Sequence, residues 1–159
     1  MSKLLKRLSV IRFATWAALC LIVLCLSGCA DLPRDARQST ERIRAAKVLV
    51  VGLPSSQQEL AVVAERERVL VERVAKRLGA HVQWKVGNAH TLLQDLEQVR
   101  LPLVAATLPS DSPFATSVGL SQPHWRKGPQ DKDYCLAVAP GENRLLLLVD
   151  QVIAEEQKS

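Results

Sequence analysis

The chain has 159 residues, which is enough for one ordinary domain and too few for two. Apolar residues make up 48% and charged residues 23%, a globular composition that excludes a chain disordered throughout. Residues 1–28 hold four basic residues and no acidic one, so they account for most of the net charge of +5. Because 17 bases face 16 acids in the remainder, the charge gives no reason to expect a nucleic-acid partner.

The first 28 residues have the three parts of a secretory signal peptide. A basic stretch, Met1–Arg12, precedes an apolar run, Phe13–Leu26, and Ser27-Gly28-Cys29 follows. Fourteen helical residues span about 21 Å, less than the hydrocarbon core of roughly 30 Å, although a short N-terminal membrane span stays the alternative. The ending resembles the lipobox of bacterial lipoproteins. That resemblance implies cleavage before Cys29 and acylation at this residue, palmitate included, which would anchor the protein in a membrane.

The residue after the lipidated cysteine and the remaining cysteines add two expectations. Ala30 rather than Asp follows Cys29, which in enterobacterial-type sorting implies the outer membrane and a domain on its periplasmic side. Cys20 and Cys25 leave with the leader, so Cys135 alone remains as a free thiol and no intramolecular disulfide is predicted. Its apolar neighbours indicate a buried core residue.

Residues 29–46 comprise the lipidated cysteine and a polar stretch of mixed charge without an apolar period. This pattern predicts a tether, in which Ser39 or Thr40 is a candidate to cap a short helical turn. Residues 47–157 are then expected to form one domain.

Strand and helix patterns alternate along this domain. The predicted strands are Val48–Val51, Ala80–Val86, Leu101–Thr107, Ser117–Leu120 and Tyr134–Ala139, and the predicted helices are 56–78, 88–98 (from Asn88 or Thr91) and 144–157. Perfect alternation of apolar and polar residues places Ala80–Val86 at a sheet edge. The order predicts an α/β, three-layer sandwich with a mainly parallel sheet.

Several of these segments are familiar in their order. In chain order these segments are Lys47–Leu53, the helix end Ala75–Gly79, Val82–Val86, Gly119–His124 and Tyr134–Gly141. Together they resemble one lobe of type 2 periplasmic solute-binding proteins of the extracellular amino-acid-binding type, also seen at the N-terminus of a membrane-bound lytic transglycosylase. The resemblance implies a single solute-binding-like lobe.

The chain also departs from that family. Only nine residues, Trp125–Asp133, stand where the family has its second lobe, and residues 107–121 contain no Arg to hold a ligand carboxylate. We still expect a ligand site at the carboxyl ends of the strands. The candidate ligand-binding residues are Ser55, Ser56, Glu67, Ser110, Asp111 and Ser112. Ordinary loop polarity is the alternative for the loop residues. Glu67 interrupts the apolar stripe of its helix, which a hydrogen bond to the first loop would explain.

Two functions are compatible with these residues. One is weak binding of an amino acid or similar small solute for transport, by a lipoprotein reduced to one lobe. The other is an accessory module that docks an envelope protein through His124 and Trp125, unless these residues only cap the orphaned surface. The three histidines have no metal-ligand spacing and no Cys or carboxylate partner in the sequence, so no metal, cofactor or catalytic residue is predicted. We therefore expect a protein that is not an enzyme.

Overall fold

The computed structural model of this protein describes residues 33–55, 61–109, 112–126 and 133–158. Six strands form one sheet in this part of the chain, in the order β2-β1-β3-β6-β4, with β5 also paired to β6. The strands are β1 (Val48–Pro54), β2 (His81–Gly87), β3 (Leu103–Pro109), β4 (Gly119–Leu120), β5 (Trp125–Arg126) and β6 (Asp133–Val138). The helices are α1 (Ser39–Ala46), α2 (Ala61–Leu78), α3 (Ala89–Glu97) and α4 (Asn143–Glu156), and Pro113–Thr116 forms a 3₁₀ turn.

One strand runs against the others. β1 pairs in parallel with both β2 and β3, whereas β6 is antiparallel to β3, β4 and β5. The other five strands therefore share one direction. The predicted mainly parallel sheet is confirmed, with β6 as its single reversal.

Helices cover both faces of the sheet. Leu49 and Leu103 point into a core shared with α1, α2 and α4, and Val104 and Ala137 point into a second core shared with α3. Successive strand residues face opposite sides, so a run such as Leu103–Ala105 has to be apolar throughout. The three-layer α/β sandwich predicted from the element order is confirmed.

The edge position of β2 is confirmed as well. Val82 and Trp84 are half-buried against the larger core, and the Arg68 guanidinium lies 5.4 Å from the centre of the Trp84 ring. Val86, predicted to share their dry face, is 64% exposed. The dry face of β2 is therefore shorter than the alternation predicts.

Two predicted helix boundaries are reproduced. α2 ends before Gly79, whose φ of +66° is the left-handed conformation that favours glycine after a helix. α3 begins after Asn88 rather than at Thr91, since the Asn88 side chain accepts the His90 N–H at 2.9 Å. Residues 56–60, where the sequence predicts the start of this first long helix, lie outside the described residues.

The stretch before β1 differs from the predicted tether. It forms α1, in which Ser39, Thr40 and Ile43 are buried. Neither Ser39 nor Thr40 caps the helix, because the N-cap residue is Gln38 and makes no side-chain hydrogen bond. The capping groups are instead carboxylates of residues outside the helix. The apolar pattern within the stretch therefore does not predict α1.

Cys135 is 1% exposed, which confirms the predicted core thiol. The signal peptide and Cys29 lie outside the described residues, and their predictions stay predictions. Within the described ranges, no helix combines the length and the apolarity needed to cross a membrane.

Candidate functional site

The carboxyl ends of β1 and β3 lie side by side in the middle of the sheet. Val51 is in register with Leu103, and the two strands end at Pro54 and Pro109. After β1 the chain crosses to the edge strand β2 and then returns past β1 to β3. This reversal makes the β1–β3 boundary a topological switch point, where open α/β sheets bind their ligands.

Two of the predicted ligand-binding serines are described at this edge. Ser55 is exposed directly after β1, and its N–H donates to the Gly87 carbonyl at 2.9 Å. Ser112 is 9% exposed, and its hydroxyl accepts the Phe114 N–H at 3.4 Å to cap the 3₁₀ turn. Ser55 therefore presents its side chain at the rim, whereas Ser112 supports the turn. Ser56, Ser110 and Asp111 lie outside the described residues.

Glu67 and His124 form a buried pair. Glu67 Oε1 lies 3.4 Å from His124 Nε2, and each side chain is 1% exposed. None of the four carboxylate and imidazole heteroatoms has a hydrogen-bond partner in the described structure. In the part of the first loop that the structure describes, which ends at Ser55, no hydrogen bond from Glu67 is formed, and residues 56–60 lie outside the described residues. The sequence expectation that His124 lacks a carboxylate partner was wrong, because the fold brings together residues 57 positions apart.

His124 reaches this position because its segment is held at several points. Its N–H donates to the Tyr134 carbonyl of β6 at 2.9 Å. The Gln122 N–H donates to Asp150 Oδ1 on α4 at 2.7 Å, and Gln157 Nε2 donates to the Pro123 carbonyl at 2.9 Å. The segment is thus fixed to both the sheet and α4, and its histidine points towards α2.

The buried side chain of His124 bears on its predicted role as a partner contact. A side chain that is 1% exposed offers no surface for a protein to dock on. This burial agrees with the alternative interpretation, in which His124 only covers the surface left by the missing second lobe. Only the backbone of Trp125 is described, in β5, so its role stays a prediction.

Signals for the pair were present in the sequence but incomplete. An acidic residue inside an apolar helix stripe marks Glu67 as unusual. Nothing in the spacing of the three histidines identifies its partner. His81 is exposed on β2 and His90 lies in the first turn of α3, as predicted.

Two aspartates have perturbed acidities. Hydrogen bonds from Lys85 and then Arg100, at 2.8 Å each, hold the pKa of Asp95 below its usual value, and burial opposes them only in part. Burial raises the pKa of Asp150, against the opposing hydrogen bond from Gln122. Asp95 ties β2 to α3, and both acids act within the scaffold.

No group of three or more His, Cys, Asp or Glu residues that could hold a metal ion occurs in the described part of the chain.

No protein-family model matches the chain, and no curated protein does. Solved structures do. The arginine-bound form of domain 1 from TmArgBP, as a single-substitution mutant, matches with a TM-score of 0.68 at 20% identity, over 76% of this chain and 100% of that chain. The fold is that of one solute-binding lobe.

Further matches extend this comparison. A truncated arginine-bound ArgBP from T. maritima has a TM-score of 0.62 at 12% identity, covering 73% of this chain and 99% of that chain. The ancestral amino-acid-binding protein AncCDT-1, described as a precursor of cyclohexadienyl dehydratase, has a TM-score of 0.62 at 11% identity, covering 76% and 94%. The predicted likeness to a type 2 solute-binding lobe is confirmed at the level of fold.

Only six residues separate β5 from β6. This connection is too short to contain a second lobe. No second lobe is therefore inserted between β5 and β6, as the sequence predicts.

Proposed function

We propose that this chain is a lipid-anchored envelope protein whose single lobe binds an amino acid or a similar small solute at the carboxyl edge of its sheet. The observation that carries the proposal is the match to the arginine-bound form of domain 1 from TmArgBP, all of which this chain covers. That protein binds arginine as domain 1. The missing second lobe is therefore compatible with binding.

The solute would lie over the ends of β1 and β3, against Ser55 and the loops that carry Ser56, Ser110 and Asp111. Residues 107–121 contain no Arg, so the usual bidentate grip on a carboxylate is absent from this stretch. Hydroxyl groups and the Asp111 carboxylate favour recognition through the ammonium or polar side chain of the solute. One lobe leaves much of the ligand in water, which supports weak binding.

The envelope location rests on the leader. Acylation of Cys29 would hold the mature chain at a membrane, and Ala30 favours the outer membrane, with the lobe on the periplasmic side. Delivery of the solute to a transporter is the corresponding role, and the protein would act without catalysis. The solved structures named above are binding proteins, which supports that role.

Calorimetry of the full chain in detergent, against the common amino acids and small peptides, tests solute binding. We expect a ligand whose affinity falls about tenfold or more in Asp111→Asn, since a charge-assisted hydrogen bond is lost. Gln83→Ala, on the exposed face of β2, serves as the matched control and should leave the affinity unchanged. No binding of any amino acid or peptide would refute the solute-binding role.

Membrane fractionation tests the anchor separately. Cys29→Ala should abolish acylation and leave the chain unprocessed or free of the outer-membrane fraction. If this variant is processed and fractionates like the wild type, the anchor proposal is wrong whatever the calorimetry shows.

A further inference from the structure

Unsatisfied polar atoms are concentrated in one region of the described structure. Six buried side-chain nitrogen or oxygen atoms there have no hydrogen-bond partner, and four of them belong to Glu67 and His124. A fifth, Glu156 Oε2, is in an ion pair with Arg73. Buried polar groups are nearly always paired, because leaving one unpaired costs free energy. Such a cluster therefore calls for an absent partner.

A groove lies directly against this cluster. It runs between α2 and α4, with a volume of about 730 Å³, and His124 and Glu156 are among its lining residues. Val69, Leu70 and Ile153 supply an apolar wall. An apolar cavity of this size with a few converging polar groups has the usual make-up of a small-ligand site.

The charges on the groove wall balance, with Glu65 and Glu156 against Arg66 and Arg73, so the acid left without a basic Arg or Lys contact in the described structure is the buried Glu67. Glu65 and Glu156 line it, and Glu67 lies behind His124. Arg66 is a lining cation, and Arg73 Nη1 contacts Glu156 Oε2 at 2.5 Å. The unpartnered carboxylate oxygens can only accept hydrogen bonds when they are ionised, so the missing partner must donate them.

We propose that this groove is a second binding site, for a small organic ammonium ion with an aliphatic body. The ammonium group would bind Glu67, and the aliphatic part would pack on Val69, Leu70 and Ile153. Because the side chains of Glu67 and His124 are each 1% exposed, the His124 ring must turn aside to admit the ammonium group. The site lies between helices rather than at the carboxyl edge of the sheet, and it does not depend on the proposed solute function.

Titration of the full chain in detergent with n-butylammonium chloride tests the site, followed by NMR of methyl groups and of the histidine rings. We expect saturable shifts of the Leu70 and Ile153 methyl signals and of the His124 ring. n-Butanol and butyrate, which match the chain length without the ammonium group, should produce no saturable shift.

Two variants separate recognition of the charge from access to the groove. Glu67→Gln keeps the shape of the side chain and should weaken binding about 10- to 100-fold, the effect of one hydrogen bond to a charged group. Val69→Trp should fill the groove and abolish binding, and it is tolerable because Val69 is 42% exposed. Val86→Trp, at an exposed valine on β2, is the matched control and should bind like the wild type.

Other results would overturn the proposal. These are the absence of saturable shifts in the folded wild type, equal binding of n-butanol, unchanged affinity in Glu67→Gln, or unchanged affinity in a folded Val69→Trp. Far-UV circular dichroism establishes that each variant is folded. Shifts confined to the loops after β1 and β3 would assign the ammonium ion to the sheet edge and refute the groove site.

Discussion

Asp35 and Glu142 cap each other's helices: Asp35 precedes α1 and caps α4, whereas Glu142 precedes α4 and caps α1. Glu142, directly before α4, accepts the N–H groups of Arg37 at 2.7 Å and Ser39 at 2.9 Å, at the start of α1. Asp35, shortly before α1, accepts the N–H groups of Arg144 at 2.8 Å and Leu145 at 3.0 Å in α4. The exchange joins segments more than 100 residues apart and places both carboxylates at positive helix ends.

Removal of this exchange should destabilise the whole domain. Asp35→Ala leaves three backbone N–H groups without their acceptor, those of Arg144 and Leu145 and that of Thr40, which donates to Asp35 Oδ2 at 2.8 Å. We expect the free energy of unfolding to fall by about 2–4 kcal/mol in urea denaturation. Glu72→Ala, at an exposed acid of α2, should change it by less than about 0.5 kcal/mol. Equal effects of the two substitutions would contradict the capping role.

Asp35 and Glu142 also illustrate which features of the fold cannot be predicted from local sequence patterns. The continuous apolar strand Val48–Val51 and the stop at Gly79 depend on neighbouring residues, so local patterns predict them. α1 depends on Glu142, and the Glu67–His124 pair depends on the path of the chain after β4. Both arise from contacts between distant residues, which carry no periodic signal. The candidate site at the carboxyl edge of the sheet follows from the order of the elements and stays a prediction, whereas the groove between α2 and α4 depends on contacts that the order does not reveal.

The Glu67–His124 pair should reduce stability as well as serve recognition. Replacing a buried pair of ionisable groups by apolar side chains is often stabilising, whereas removing one partner leaves the other unsatisfied. We expect the double variant Glu67→Leu with His124→Phe to be about 1–4 kcal/mol more stable than the wild type, and more stable than either single variant. Urea denaturation of all four proteins measures this. A double variant less stable than the wild type would indicate that the pair stabilises the fold.

Asp95 and Asp150 should affect stability in opposite directions with pH. A lowered pKa means that Asp95 stabilises the fold at pH values above the unfolded value of 3.8, and that this stability is lost as the pH falls through the lower folded pKa. A raised pKa means that Asp150 favours the folded state in its protonated form. The stability that this protonated form contributes is lost as the pH rises from 3.8 through the higher folded pKa.

Asparagine variants of the two residues make a matched test. At pH 7, Asp95→Asn should lower the free energy of unfolding, and Asp150→Asn should raise it while keeping an acceptor for the Gln122 N–H. As the pH falls through the lowered folded pKa of Asp95, Asp95→Asn should approach the wild type. Denaturation curves at several pH values measure these differences, and a loss of stability at pH 7 in Asp150→Asn would contradict the assignment.

Close packing on β1 gives a further prediction. A Cβ atom added at Gly52 would lie 3.0 Å from Val104 Cγ2 and 3.3 Å from side-chain carbons of Leu92 and Leu101. We expect Gly52→Ala to lower the free energy of unfolding by about 1–3 kcal/mol through overpacking. Gly119→Ala, whose added Cβ meets its nearest neighbours at 3.5 Å, is the control and should be nearly neutral. The prediction fails if thermal denaturation finds both variants equally stable.

The reversed strand β6 has a consequence for the order of folding. β6 lies between β3 and β4 in the sheet, yet it is the last strand to be synthesised. A chain that emerges from its N-terminal end therefore leaves β3 and β4 without their shared neighbour until nearly all of the domain is available. Glu142, which caps α1, arrives later still. The lobe should consequently fold late and as a unit, with a rate limited by contacts between its two ends.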